Sequence, residues 1–280
     1  MTSLILRHLV AAVAAGMTVL HAQDPPTGSA AWVVTQFFAA KSFPGEQAYV
    51  APEFAPYAGR PTIGSTIRPS VRVSSRPVGG TDRVTFYATT VRDSSHVEEW
   101  YTQLRSDGGV WKIVTIRTVR MPPAFYATID SLSHAMSPTA PPMLERMQLM
   151  IAPDSARAMY LRAHRAAFDS LATAMLSQSA VMAVDDAGAS PTDDSSPVVR
   201  RMATSLRYLH LGAALRPPEL AGCVVAKIGG VHDATRETSI GYLYAPPGCQ
   251  PPAMGQPGYI YVESVAPRWY AFKYQVVSGG

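Results

Sequence analysis

The fold turns on the stretch Val97-Glu98-Glu99-Trp100-Tyr101-Thr102-Gln103-Leu104-Arg105-Ser106-Asp107-Gly108-Gly109-Val110-Trp111-Lys112-Ile113-Val114-Thr115-Ile116-Arg117-Thr118-Val119. β-branched and aromatic residues crowd both sides of Ser106-Asp107-Gly108-Gly109, whose residue types make a tight hairpin turn. The segment therefore reads as two antiparallel strands, 97–104 and 110–119. Upstream, 71–74 and 83–91 read as two further strands, and 56–66, rich in Pro, Gly and Thr, as a loop. Further back, Ser29 suits an N-cap, and Val33 with Phe37, and Val34 with Phe38, recur at helical spacing. A helix over 31–41 follows, stopped by Pro44-Gly45.

A helix followed by a meander that closes on Tyr101, Leu104, Gly109, Trp111, Lys112 and Ile113 resembles the end of NTF2-like (SnoaL-like, cystatin-like) domains. The resemblance covers residues 29–122. It implies an amphipathic first helix packed into a strongly bent antiparallel sheet, and, in the enzymes of that family, a deep conical pocket holding an acid–base pair. The chain departs from the pattern in lacking a legible third helix between Tyr57 and Arg68. The family includes isomerases, dehydratases, cyclases, ligand carriers and interaction modules, so the fold alone does not give a function. Catalytic candidates are Asp93, His96 and Tyr87, with Glu98 and Glu99 nearby. Asp93-Ser94-Ser95-His96 lies between two strands and reads first as a polar, solvent-facing turn.

Beyond Pro122-Pro123 the pattern changes to helices and then strands again, so the fold class is α+β. The region 123–280 reads as two or three helices plus a four-stranded antiparallel sheet. Helical turns are expected over 143–151. A longer helix is expected from Asp154, its cap, to about Leu176. Its apolar stripe runs through Met159, Leu161, Phe168, Leu171 and Met175, with Arg157, Arg162 and Arg165 facing water. A last helix starts at Ser196-Pro197 and reaches Leu215, burying Tyr208, Leu209 and Leu211. Residues 185–197, rich in Asp, Ser and Pro, read as a flexible connector.

The strands expected over 223–228, 239–244, 259–262 and 269–276 alternate sharply. Tyr242 with Tyr244, Tyr259 with Tyr261, and Tyr270 with Phe272 and Tyr274 each share a face of their strand. Were the last three strands adjacent and in register, these rings would line one surface. It would be either an aromatic platform for a sugar or peptide or the face packed beneath the helices. Arg72 and Arg76 share a face in the first half and could grip a carboxylate or phosphate, or simply solvate a sheet edge.

The apolar fraction of 47% supports a packed core, and a formal charge of +4 spread along the chain gives no case for nucleic acid. No Gly-x-Ser-x-Gly elbow, His-Glu-x-x-His helix, phosphate loop or dinucleotide glycine pattern occurs, and nothing in the sequence calls for a cofactor or metal. The methionines follow the apolar stripes and read as core filler, not metal ligands. Cys223 and Cys249, the two cysteines of the chain, are expected to form a disulfide, because strands folding back between them bring the two positions together.

Residues 1–22 carry Arg7 and His8, an uncharged apolar run from Leu9 to Leu20, and Ala22 ahead of Asp24-Pro25-Pro26. This is the layout of a cleaved secretory signal peptide, too short for a transmembrane span. The sequence thus reads as an exported protein, secreted or periplasmic, that binds a small molecule, sugar or envelope partner without catalysis. Two alternatives stand beside it: an NTF2-like enzyme using Asp93 and His96, and an envelope assembly module. Mass spectrometry of protein recovered from outside the cytoplasm should give an N-terminus near Gln23, whereas a cytoplasmic product retaining Met1 would contradict the export reading.

Overall fold

The computed structural model describes residues 24–39, 43, 45–55, 71–92, 97–135, 140–178, 183–185, 197–232 and 236–277. Its first part opens with helix α1 (Ala30–Phe37), whose start is capped by the Ser29 hydroxyl accepting from the Trp32 amide at 3.2 Å. A 3-10 turn (Glu46–Tyr49) follows, then strands β1 (Arg72–Gly80), β2 (Val84–Arg92), β3 (Val97–Asp107) and β4 (Val110–Thr118). The four form one antiparallel sheet in sequence order. The β3–β4 turn is Gly108-Gly109, both at positive φ (60° and 84°), while Asp107 pairs with Val110. Two successive left-handed residues are what a tight hairpin of this hand requires, and glycine adopts them without steric cost.

Period-two alternation gives this sheet two different faces. One face, with Leu104, Trp100, Ile113 and Tyr87, packs on Val33, Val34, Phe37 and Phe38 of α1 and its C-terminal end. The other, with Ala88 and Tyr101, belongs to the core of the second half. The first sheet is thus covered on both sides, by its own helix and by residues more than fifty positions further along the chain.

The second part comprises α2 (Pro123–His134), α3 (Ala140–Ile151), α4 (Asp154–Ala163), α5 (Arg165–Ser177), β5 (Ala183–Asp185), α6 (Pro197–Tyr208), β6 (Ala213–Leu215), a 3-10 turn (Pro218–Leu220), β7 (Val224–His232), β8 (Arg236–Tyr244), β9 (Tyr259–Ala266) and β10 (Trp269–Val277). Its sheet has the order β5-β6-β7-β8-β10-β9. The α+β class is as read from sequence, with helix α2 and two short strands, β5 and β6, added at one side of the sheet. Residues 213–215, expected as the end of a helix, instead pair with β7. The helix stops at Tyr208 because His210 adopts φ 49° and the Leu211 amide reaches back to the Leu206 carbonyl at 2.9 Å. Such a cap turns the chain sharply out of the helix. The helix expected over 154–176 is likewise two helices, broken at His164, whose ring nitrogen and amide both bond the Tyr160 carbonyl.

Helices α4–α6 cover the inner face of the six-stranded sheet, where Phe168 packs edge-on against Tyr242 and Trp269. Three side chains lie opposite to their sequence reading. Met159 and Tyr208 are exposed, and Arg157, expected on the wet side, is only 1% exposed. The outer face carries a separate cluster around the Cys223–Cys249 disulfide, with Cα atoms 5.4 Å apart, packed with Val225, Leu243 and Phe272. Closing this 26-residue separation stabilises the fold by about 3 kcal/mol on chain-entropy grounds.

The tyrosines do not share one surface. Tyr242 pairs with Ala271, Tyr244 with Trp269 and Tyr261 with Lys273, all on the inner face. A register shift between Lys273 and Tyr274 sends Tyr259 to the outer face beside Tyr274. One extra residue in β9 is enough, since strand faces alternate with period two.

Candidate functional site

Where the two halves meet, four charged side chains are withdrawn from water together. Asp154 and Arg157 are each 1% exposed and Lys273 6%, and the Glu99 side chain retains 10%. Three elements supply them: Glu99, with Tyr101, comes from the second-half face of β3, Asp154 and Arg157 from the first turn of α4, and Lys273 from the inner face of β10. Lys273 Nζ lies 2.8 Å from Glu99 Oε2 and 3.2 Å from Asp154 Oδ1, and it donates to the Tyr101 hydroxyl. The Tyr101 hydroxyl in turn donates to Asp154 Oδ2 at 2.6 Å. Arg157 Nη2 pairs with Asp154 Oδ1, and its Nη1 donates to the carbonyls of Ala152 (2.8 Å) and Met150 (3.2 Å). The Asp154 amide donates to Glu99 Oε1 at 2.9 Å.

Two carboxylates face two cations, so the cluster is neutral, and hydrogen bonds occupy its main polar atoms. The lysine also lies over the rings of Tyr101 (4.8 Å) and Tyr261 (5.9 Å). Burial by itself raises the Asp154 pKa, but Lys273, Arg157 and the hydrogen bonds from Tyr101 and Lys273 outweigh it and hold the carboxyl below its ordinary 3.8. Burial, then the charges of Asp154 and Glu99, drive the Tyr101 hydroxyl well above its usual range, so it stays protonated as a donor.

A cavity of about 630 Å³ opens onto this cluster. Glu99, Arg157 and Lys273 edge it, Met121, Met150 and Ile240 supply apolar wall, and Glu98, Arg120 and Tyr126 bring polar groups to it. Arg120 donates through Nε to Glu98 at 3.0 Å, stands 5.2 Å over the Trp100 ring, and keeps 64% of its side chain exposed. Three cations against two carboxylates line the space.

The residues singled out from sequence are distributed elsewhere. Asp93 and His96 lie outside the described residues. Tyr87 sits half-buried in the α1 cluster, its pKa raised by burial, on the face of the first sheet turned away from the cavity. Arg72 is exposed on β1, and Arg76 grips a carboxylate bidentately, with both nitrogens 2.7 Å from Glu263 of the second half. Tyr261 donates to the same carboxylate at 2.6 Å, and Tyr242 donates to the Arg157 carbonyl at 2.9 Å. Tyr244 and Tyr259 are half-buried against Trp269 and Tyr274. Among the described residues no group of three or more His, Cys, Asp or Glu could hold a metal, and no helix is long and apolar enough to cross a membrane. The available signal for the ion cluster was Lys273 itself, a lysine that follows Trp269 and Ala271 in alternation on the face of the strand they share.

Compared with known proteins, the chain matches no family model, no curated protein and no solved structure.

The Asp154 carboxylate is favoured in the folded state, so its contribution to stability is complete above pH 3.8 and lost as the pH falls through its lower folded value. Urea midpoints should therefore fall as pH drops from 5 to 2. Asp154→Asn, which leaves Lys273 and Arg157 under-neutralised in the interior, should cost about 3–5 kcal/mol at pH 7 and flatten that acid dependence. An unchanged midpoint in the variant would contradict the network.

Proposed function

We propose that this is an exported, non-catalytic binding protein whose seam cavity takes an amphipathic anion, its apolar body against Met121, Met150 and Ile240 and its carboxylate at Arg120. The observation that carries this reading is a 630 Å³ space lined by three cations and two carboxylates, beside an ion cluster whose charges already satisfy one another. An acid–base enzyme needs a titratable group free to exchange a proton with its substrate. Lys273, Asp154 and Tyr101 are instead committed to each other. Arg120 differs: with only Nε required by Glu98, a guanidinium that is 64% exposed still has a fork edge to offer a carboxylate.

The first half is read as an NTF2-like module used as a scaffold. In support, α1 lies on a four-stranded antiparallel meander, as that resemblance implies. The space between them is filled by rings: Trp32 stands 5.6 Å from Phe43 and 5.3 Å from Tyr49, and Phe37 5.5 Å from Phe43. Such filling suits a scaffold better than an enzyme pocket. Export is supported by the N-terminal sequence pattern and by a disulfide, a bond that persists in oxidising compartments.

The fluorescent anion 8-anilinonaphthalene-1-sulfonate should bind the native mature protein at one site and be displaced by decanoate. Arg120→Ala should weaken both by about tenfold, the loss of one charge-assisted contact, without lowering the melting temperature. Equal binding by the variant and the parent protein would overturn the assignment of Arg120 and its cavity.

A further inference from the structure

Glu98 and Glu99 are neighbours near the start of β3, so their side chains leave the strand on opposite faces. Glu99 turns into the buried cluster, with Oε2 2.8 Å from Lys273 Nζ. Glu98 shares its face with Trp100, two residues on, and Arg120 lies across both. Its Nε donates to Glu98 Oε1 at 3.0 Å, and its guanidinium carbon stands 5.2 Å from the centroid of the Trp100 ring. Glu98 and Arg120 both line the seam cavity, and their side chains are 25% and 64% exposed.

These contacts leave Arg120 a defined remainder. A guanidinium carries five N–H donors in one plane and meets a carboxylate along an edge. Glu98 holds the Nε side, and the Trp100 ring covers one face. The edge formed by Nη1 and Nη2 is what a ligand can use, and one edge holds one anionic group in the guanidinium plane.

The surrounding charges decide how much charge that group can bring. Arg157 and Lys273 also edge the cavity, but both are engaged by the cluster. Lys273 Nζ lies 2.8 Å from Glu99 and 3.2 Å from Asp154, while Arg157 pairs with Asp154 and donates to the Ala152 and Met150 carbonyls. With Asp154 behind the wall, three carboxylates meet three cations, so the site is neutral before a ligand arrives. A monoanion shares Arg120 with Glu98. A dianion brings a second negative charge that no cation meets, one guanidinium's width from Glu98. That separation is shorter than the screening length of about 8 Å in physiological salt. A charge left unpaired against the wrong ligand is an effective means of discrimination. Resting on the reading of the seam cavity as the ligand site, we propose that Glu98 is its specificity-determining residue. It admits amphipathic anions of single charge, such as alkyl carboxylates, and disfavours alkyl phosphate dianions.

Calorimetric titration of the disulfide-bonded protein with decanoate, decyl sulfate and decyl phosphate tests this at about pH 8, where a phosphate monoester carries close to two charges. Decyl sulfate has the tetrahedral head of the phosphate and the single charge of the carboxylate, so it separates shape from charge. Decanoate and decyl sulfate should bind within about threefold of each other, and decyl phosphate about tenfold more weakly. Glu98→Gln keeps an oxygen for Arg120 Nε and removes the charge, so decyl phosphate should come within about threefold of decanoate. The melting temperature should barely move, as expected for a rim ion pair. Binding of none of the three would overturn the seam cavity as an anion site, and the role of Glu98 with it. Decanoate binding that Arg120→Ala weakens, with decyl phosphate bound equally well, would leave the cavity standing and overturn the role of Glu98 alone. Decyl sulfate as weak as decyl phosphate would put the discrimination in head shape and overturn the charge rule. A preference for decanoate that survives Glu98→Gln would overturn the assignment to this residue.

Discussion

The two halves of this protein are locked together by the neutral cluster of Glu99, Asp154, Arg157 and Lys273, closed by the hydroxyl of Tyr101. Removing four charges from water is costly, and the mutual attraction repays that cost only when the geometry is good and the remaining polar atoms are bonded. Both conditions fix positions closely. Lys273 must project from the inner face of β10 while Glu99 and Tyr101 project from the second-half face of β3, so the two sheets can meet in one relative arrangement. A purely apolar seam would tolerate sliding far better. Outside the cluster, Arg76 and Glu263 repeat the same logic at a more exposed point of the same seam, with Tyr261 as the third member.

That constraint also shapes what the seam can do. Because its charges are satisfied internally, the cluster forms one polar wall of the cavity. In the proposed binding role, recognition falls to Arg120 and to the apolar side chains around it.

Local patterns were legible in the sequence wherever a local cause decides the structure. The Gly108-Gly109 hairpin, the Ser29 cap and the alternation along β7 to β10 rest on neighbouring residues. The Cys223–Cys249 bridge was legible because the strands between the two cysteines turn back on themselves. What failed was whatever depends on distant partners. Arg157 has the look of a solvated helix residue until Asp154 is known to be buried by Tyr101, fifty-three positions away. Lys273 and Glu99 are 174 residues apart. The face reached by Tyr259 depends on one irregularity in β9, which no alternation pattern announces. His210 ends a helix in a conformation that glycine usually supplies, so Ala213–Leu215 looked like a continuation of that helix.

If the buried cluster binds the halves into one cooperative unit, differential scanning calorimetry of the disulfide-intact protein is the most direct measurement. A shared core and a closed ion network predict a single endotherm at pH 7, with calorimetric and van't Hoff enthalpies in agreement. Two resolved transitions, one for the helix-and-four-strand part and one for the rest, would contradict the account.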